Sequence, residues 1–405
     1  MKVSIVGLGY VGLPIAINAA VAGYSVGGFD IDENKIIKLR NGISDSPEVS
    51  QNQILSLQAE GKLFFSSNIS DHKDSSIYVI AVPTPLDENS NPDLSFLKNA
   101  CMLLAKVVTS GDLVINESTS YIGTLRNLIK PIIEESSGLF DIRYAVAPER
   151  IDPGNEAWNI KNTPRNISGL TDQATNDAIT FYSRFCDSIN TLLKPEIAEA
   201  AKLFENTFRH INIALVNEFS EIANKFDFSA NDAIFAASTK PFGFMPFYPS
   251  IGVGGHCIPV DPSYLVFSAE QVGIDSKFIT LANQTNFSRP KIVADRIRIQ
   301  LGGDLVDKRV QIVGITYKSN IADIRESPAL ELIKELKSLG AKVLWFDPFI
   351  EAYDGETSHP LDPNIDLGII VVPHDTVDFA IWKKSNTRVI DVSANPRNFG
   401  WPKFL

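Results

Sequence analysis

Cys257 stands in the run Gly252-Val253-Gly254-Gly255-His256-Cys257-Ile258-Pro259-Val260-Asp261-Pro262. Glycines and prolines at that density exclude regular structure and leave backbone amides to face a ligand, so a thiolate here is a candidate nucleophile. Asp261 can hold a water molecule, whereas His256 is too near in sequence to face the thiol and reads as structural support. Cys101 and Cys186 lie in helical apolar patterns and read as inert core residues. Upstream, Lys202 and Asn206 fall one helical turn apart, and an ammonium and an amide so placed can donate jointly to a developing oxyanion. Arg209 and Asn217 lie with them away from the apolar stripe, and an ordinary solvated face would look the same.

A second chemistry lies at the N-terminus, where Gly7-Leu8-Gly9-Tyr10-Val11-Gly12 separates an apolar run from a helical pattern and Asp30 closes the next apolar run. The glycines permit a tight turn and close approach of a pyrophosphate to a helix N-terminus, and the carboxylate can accept from a ribose 2′-hydroxyl. The same carboxylate repels a 2′-phosphate, so NAD is expected rather than NADP. Lys35 reads equally as a ribose contact or a solvated helix charge. A later run, Val313-Gly314-Ile315-Thr316-Tyr317-Lys318, also comes after an apolar stretch but lacks the glycine that lets backbone meet a pyrophosphate. It reads as a degenerate duplicate for a different phosphate-bearing ligand, with Lys318 and Arg325 as cations.

These residues need scaffolding. Alternating apolar runs predict strands at 2–7, 25–30, 76–82, 112–116 and 143–147, with helices at 11–22, 33–40, 94–107 and 124–135 between them, the pattern of a doubly wound domain. One long helix runs from Pro195 to about Lys225, with Ile197, Ala201, Phe204, Phe208, Ile211, Leu215, Phe219, Ile222 and Phe226 at steps of three and four. That stripe must be buried, and a second copy of the chain is the expected cover. After an aromatic-rich loop over 240–262, helices at 263–272 and 275–300 precede a second α/β unit with strands at 309–314, 342–347, 367–373 and 388–392 and a helix at 328–339. The fold class is therefore α/β, two Rossmann-like doubly wound domains joined by a long central helix and a helical middle domain.

Composition narrows the partners. The 405 residues carry 48 acidic and 37 basic side chains, a net charge of −11, which argues against nucleic acid. No apolar run approaches the roughly 20 residues of a membrane span. Residues 1–7 are strand-like rather than leader-like, and three scattered cysteines suggest neither disulfides nor a metal site. A soluble cytoplasmic protein is the expectation, with no membrane partner.

Taken in order, the chain resembles the nucleotide-sugar 6-dehydrogenases, which oxidise UDP-glucose, UDP-N-acetylglucosamine or UDP-N-acetylmannosamine twice to the uronic acid. The resemblance rests on Gly7 to Pro14, Val82-Pro83-Thr84-Pro85, Glu117-Ser118-Thr119, Ala147 to Gly154, Lys202 with Asn206, the Cys257 loop, Tyr317-Lys318 and Arg325-Glu326-Ser327-Pro328. It implies that Cys257 captures an aldehyde, that Lys202 and Asn206 stabilise oxyanions, that Asp261 and Thr119 orient water, and that Glu149 is the base of thioester hydrolysis. It also implies cofactor contacts from Gly7, Gly9, Tyr10, Val11, Gly12, Asp30, Lys35, Pro83, Thr84, Ser118, Thr119 and Arg325. Substrate contacts are implied for Glu149, Arg150, Lys202, Asn206, Arg209, Tyr248, Gly252, Gly254, Tyr317 and Lys318. The division implied is an NAD-binding domain over 1–194, a helical dimerisation domain with the cysteine loop over 195–300, and a UDP-sugar-binding domain over 301–405.

The stretch Lys240 to Pro249 looks more like the UDP-N-acetylglucosamine enzymes than the UDP-glucose ones. Two departures stand out. Ser250-Ile251 replaces the usual Gly-Pro, and Asp391-Val392-Ser393-Ala394-Asn395 lacks an arginine that relatives carry there. A two-electron hydroxyacid dehydrogenase would share the first domain and the Lys-to-Asn spacing but needs neither Cys257 nor the second α/β unit, and a non-catalytic NAD-binding protein would need no intact catalytic positions.

Overall fold

The computed structural model describes every residue except Asp45, Pro47, Pro153, Gly154, Glu156, Pro396 and Asn398. Pro153 and Gly154, which close the block from Ala147, thus lie outside the described residues. The chain divides into two compact units, residues 1–205 with 267–272, and residues 206–266 with 273–405.

In the first unit, strands β1 (Lys2–Val6), β2 (Ser25–Phe29), β3 (Leu63–Ser66), β4 (Ile77–Ile80), β5 (Leu113–Asn116), β6 (Arg143–Val146), β7 (Arg165–Gly169) and β8 (Ile189–Thr191) form one sheet. Its order is β3-β2-β1-β4-β5-β6-β7-β8, parallel except where β6 meets β7. Alternate residues of a strand enter different cores. Val3, Ile5, Val79 and Ile115 pack with Ile15, Ile54 and Phe181, which come from α1 (Gly12–Val21), α3 (Gln51–Ala59) and α6 (Asp172–Tyr182). Val6, Tyr78, Ile80 and Val114 pack with Cys101 and Ile133 from α4 (Ser95–Leu104) and α5 (Lys130–Ser137). Both faces are thus covered, as a parallel sheet requires, and α2 (Glu33–Arg40) leads from β2 towards α3.

The second unit has a parallel four-stranded sheet, β10-β9-β13-β14, from β9 (Arg309–Val313), β10 (Lys342–Phe346), β13 (Leu367–Ile370) and β14 (Val389–Asp391), plus a hairpin of β11 (Ala352–Tyr353) and β12 (Glu356–Thr357). Its helices are α8 (Ala230–Ser238), α10 (Lys277–Gln300), α11 (Pro328–Ser338) and α12 (Ala380–Lys384). Two helices run through a unit boundary: α7 (Pro195–Lys225), which changes unit after Glu205, and α9 (Asp261–Glu270). Among the described residues no helix is long and apolar enough to cross a membrane.

The two Rossmann-like units and the long helix agree with the sequence reading, which misses β3, β7, β8, β11, β12, α3, α6, α8 and α12. The helix expected over 124–135 opens instead with a π-turn over Leu125–Ile129. There the buried Glu199 carboxylate accepts from the amides of Gly123 (2.6 Å) and Leu125 (2.9 Å), and Pro131 has no amide to continue an α ladder. The α7 stripe is not buried by this chain, since Phe204, Leu215 and Phe226 are 67%, 62% and 76% exposed.

Candidate active site

The first chemical feature sits where β1 gives way to α1. Gly7 has φ +96°, and a Cβ there would lie 2.5 Å from the Ala81 carbonyl oxygen; one on Gly12 would lie 1.8 Å from the Gly7 oxygen. A Cβ on Gly9 would meet nothing within 4 Å. The outer glycines are therefore demanded by the turn itself, while the middle one leaves an open approach. The N-terminus of α1 has no side-chain cap and no acid in its first turn; Leu13 gives its amide to the Gly9 carbonyl and Pro14 has none, so the helix offers a diphosphate its Gly12 amide and its dipole end. Asp30, just past β2, accepts from the Leu8 amide at 3.0 Å and the Asp32 amide at 3.1 Å, and Lys35 reaches it at 3.1 Å. Lys35 is thereby joined to the Asp30 carboxylate. Open space, an uncapped helix end and a held carboxylate fit NAD. Beside them, Ser118 Oγ donates to the Val82 carbonyl at 2.8 Å, tying the Pro83-Thr84 segment after β4 to the Ser118-Thr119 segment after β5.

Deeper in the same unit is a cluster the sequence reading does not assemble. Glu117, at the end of β5, is fully enclosed, and Arg165 at the start of β7 donates through Nη1 to both its oxygens, at 2.5 and 2.6 Å. Arg165 Nη2 donates to Glu149 at 2.7 Å, and Tyr182 at the end of α6 donates its hydroxyl to Glu117. Burial pushes the Glu117 carboxyl up to about 7 despite Arg165. For Glu149 burial also pushes upward, but the Arg165 guanidinium, the Lys202 charge and the Ile151 amide outweigh it and hold the group below its ordinary value. Arg150 does not direct its guanidinium at Glu149; it pairs with Glu205 (2.6 Å) and the Pro164 carbonyl (2.8 Å). The available signal for Glu117 was its place at the carboxyl end of a buried parallel strand, where ligands of doubly wound sheets bind.

In the second unit the Cys257 loop runs into α9. The Cys257 carbonyl accepts from the amides of Val260 (3.2 Å) and Asp261 (2.9 Å), so the thiol sits immediately before the helix. Cys257 is partly exposed, while Cys101 and Cys186 are buried, their thiols pushed up to about 12 and about 11 chiefly by burial. Asp261 accepts from Asn206 Nδ2 at 2.5 Å, both groups being buried, and Arg209 donates to the Asn206 oxygen. These bonds fix the Asn206 amide and leave its other proton to donate. Tyr248 is half-buried on the preceding segment. A Cβ on Gly254 or Gly255 would strike Tyr317 at 2.7 or 2.8 Å, and Gly255 donates its amide to the Arg325 carbonyl at 3.0 Å. The glycines thus let the cysteine loop press against the 317–325 segment. Gly252, at φ +136°, packs beside Pro328. Arg325 grips Asp323 through two nitrogens, Nε at 3.0 Å and Nη2 at 2.6 Å, and Lys318 stays half-buried.

The two sequence departures have structural partners. Asn217 Oδ1 accepts from the Ser250 amide at 2.9 Å and Arg289 Nε donates to the Ser250 carbonyl at 3.0 Å. Near β14, where the expected arginine is missing, Lys403 Nζ reaches Asp391 at 2.7 Å.

A glycine turn with a ribose-reading acid on one Rossmann-like unit, and a helix-entry cysteine on a second, define an NAD-dependent oxidoreductase. The chain belongs to the UDP-glucose/GDP-mannose dehydrogenase family, whose NAD binding domain matches residues 1–186, central domain 196–288 and UDP binding domain 311–394. It is 35% identical over 380 residues to a UDP-N-acetyl-D-glucosamine 6-dehydrogenase from Pseudomonas aeruginosa, covering 90% of this chain and 86% of that one. It is also 35% identical over 360 residues to a UDP-N-acetyl-D-mannosamine dehydrogenase from Pyrococcus horikoshii, covering 86% and 84%. The solved structure of UDP-D-ManNAc dehydrogenase from Pyrococcus horikoshii superposes with a TM-score of 0.89 at 32% identity, covering 100% of this chain and 97% of that one. The chain is thus an NAD-dependent UDP-sugar dehydrogenase.

Proposed function

We propose that the substrate is UDP-N-acetylglucosamine and the product the corresponding uronic acid, a unit of polysaccharide synthesis, formed by a four-electron oxidation. The observation that carries the four-electron chemistry is Cys257 at the entry to α9, with Asp261 and Asn206 hydrogen-bonded to each other behind it. NAD accepts two electrons and a proton from the substrate in each oxidation. Lys202 takes the proton of the sugar's primary alcohol as the first oxidation gives an aldehyde. The Cys257 thiolate adds to that carbonyl, and Lys202 with Asn206 donates to the resulting oxyanion. The second oxidation converts the thiohemiacetal to a thioester. Water held by Asp261 and Thr119 gives a proton to Glu149 and adds to the thioester, releasing the carboxylate and returning the cysteine. One sugar and one water thus yield one carboxylate and two reduced cofactors.

Gly7, Gly9, Tyr10, Val11, Gly12, Asp30, Lys35, Pro83, Thr84, Ser118 and Arg325 serve the cofactor in this reading. Arg150, Arg209, Tyr248, Gly252, Gly254, Tyr317 and Lys318 serve the sugar nucleotide. We assign 1–194 to cofactor binding, 195–300 to dimerisation and the nucleophile, and 301–405 to the UDP-sugar. The exposed apolar row on α7 supports a homodimer, because free apolar surface of that kind gains by burial against a second copy. The second reading, UDP-N-acetylmannosamine, is favoured by the likeness to the Pyrococcus horikoshii enzyme. Absorbance at 340 nm with each of UDP-glucose, UDP-N-acetylglucosamine and UDP-N-acetylmannosamine tests the choice. Highest kcat/KM with UDP-N-acetylglucosamine and two NADH per sugar are expected. A higher value with UDP-N-acetylmannosamine overturns the sugar assignment, and one NADH per sugar overturns the four-electron course.

A further inference from the structure

Glu149 is held from both sides. Its Oε1 accepts from the amides of Arg150 (2.5 Å) and Ile151 (2.7 Å), and its Oε2 accepts from Arg165 Nη2 at 2.7 Å. A carboxylate offers about four acceptor positions, so three donors leave one, on Oε2, for a water. Glu117 has no such vacancy for solvent: it is 1% exposed and takes Arg165 on both oxygens together with the Tyr182 hydroxyl. Arg165 is itself immobilised. Its Nη1 also donates to the Ala147 carbonyl at 3.2 Å, its guanidinium carbon lies 4.7 Å over the Tyr182 ring, and only 4% of the residue is exposed. The sheet explains the meeting, because β7 runs antiparallel beside β6 and so brings its first residue to the carboxyl ends of β5 and β6.

We propose that Arg165 is a positioning residue for thioester hydrolysis: it holds the Glu149 carboxylate ionised and in one orientation, while Glu117 and Tyr182 hold Arg165. The inference rests on Glu149 being the hydrolytic base. Burial raises Glu117 to about 7 while Arg165 holds Glu149 below its ordinary value, so Glu117 is already neutral at the pH where Glu149 takes up its proton and the guanidinium charge there acts on Glu149. The other groups acting on the cluster are Lys202, which favours ionised Glu149, Glu48, which opposes it, and Cys186, which is itself neutral at physiological pH. Each change therefore has a definite outcome. Glu117→Gln replaces a group that is already neutral at that pH and leaves the pH at which the base is lost in place. Replacing both, Glu117→Gln with Arg165→Gln, removes the cation from Glu149 and raises that pH.

The test is the pH dependence of decay of the covalent enzyme, measured by intact mass after rapid quenching. The sugar is whichever of UDP-N-acetylglucosamine and UDP-N-acetylmannosamine the unmodified enzyme oxidises. We expect the acid limb to stay in place in Glu117→Gln and to move to higher pH in the double variant. Arg165→Lys keeps the charge but loses the fork; its adduct accumulates and kcat falls about tenfold or more, part of the ~10²–10⁴-fold that a general base supplies, with KM for the sugar little changed. A limb that follows the cation and not Glu117 is not what a merely structural arginine would give. Should the double variant lose the fold on melting, Arg165→Lys, which keeps the charge, decides alone, and adduct decay as fast as in the unmodified enzyme overturns the proposal. Glu149→Gln separates the two readings. If it loses the limb while the double variant leaves the limb in place, the role of Arg165 fails and the base assignment stands; if it hydrolyses the adduct as the unmodified enzyme does, both fail.

Discussion

Gly9 and Gly12 differ by three positions in one turn and answer to different forces, so replacing each by alanine separates folding from cofactor binding. A Cβ on Gly12 falls 1.8 Å from the Gly7 carbonyl oxygen and 3.0 Å from its carbon, both backbone atoms that cannot rotate away. The start of α1 and the β1 turn must part by roughly 1.5 Å to restore ordinary contact, an overpacking that costs about 1–3 kcal/mol. For a unit of this size that is a fall in Tm of the order of 2–12 °C. Gly9 has no protein atom within 4 Å of its added Cβ and is not among the positive-φ glycines. Gly9→Ala therefore leaves the unliganded Tm unchanged or slightly raised, since alanine restricts the unfolded chain by about 0.4–1 kcal/mol. The new methyl occupies the approach of the diphosphate, and losing one charge-assisted hydrogen bond of about 1.5–3 kcal/mol weakens NAD roughly 10- to 150-fold. Differential scanning fluorimetry without cofactor and calorimetric titration of NAD measure the two quantities. Unchanged NAD affinity in Gly9→Ala would refute the assignment of the open space to the diphosphate, and an unchanged Tm in Gly12→Ala would refute the clash.

Cys257→Ser stalls during or after the first oxidation, because an alkoxide leaves an ester less readily than a thiolate leaves a thioester; intact-mass analysis finds the adduct or released aldehyde, and steady formation of two NADH per sugar would remove Cys257 from the reaction. Glu199, pushed up to about 7 by burial against an ordinary 4.5, holds in the folded state a proton that the unfolded chain releases. Its contribution to stability is full below about pH 4.5 and is lost as pH rises through about 7. The difference in urea midpoint between about pH 5.5 and about pH 8 therefore shrinks in Glu199→Gln, and an undiminished difference assigns that pH dependence to other groups.

The dinucleotide turn, Asp30 and the α7 helix are legible because each is a local pattern. The Arg165 cluster is not, because Glu117, Glu149, Arg165 and Tyr182 come from four places joined only by strand order. Strand β7 also hides itself: Arg-Asn-Ile-Ser-Gly is buried at every position yet reads as polar, with Arg165 given to Glu117 and Glu149 and Asn166 to the Asn190 amide rather than to solvent. Strand β3 carries an exposed phenylalanine, Phe64, and lacks the contrast that marks a half-buried strand. Lys35 is ambiguous in sequence because its spacing to Asp30 spans the end of a strand and the start of a helix, where no periodic rule applies. Glu149 takes its cation from Arg165 on a distant strand, while its sequence neighbour Arg150 turns to Glu205, a division that adjacency does not reveal.

The two Rossmann-like units start from the same turn and diverge immediately beyond it. Gly7 donates to the Phe29 carbonyl at 2.8 Å and Gly314 to the Phe346 carbonyl at 2.9 Å; both have positive φ, and a Cβ on either would strike the carbonyl of a neighbouring segment, Ala81 or Val372. Each turn then gives an amide to the acid ending the adjacent strand, Leu8 to Asp30 and Ile315 to Asp347. Asp30 has as its cation Lys35, one-third exposed, whereas Asp347 is enclosed with His374 at 3.1 Å and takes the Thr316 amide at 3.2 Å. The first acid can meet a ribose; the second is spent inside the unit. Helix α1 begins at Gly12, beside its turn, while α11 waits until Pro328. A pyrophosphate laid on the second turn would find no helix N-terminus, but the delay frees residues 315–327 to present Tyr317, Lys318 and Arg325. Shortening that segment to bring α11 up to the turn would delete these side chains, so the length of this loop is what separates the second unit from a copy of the first.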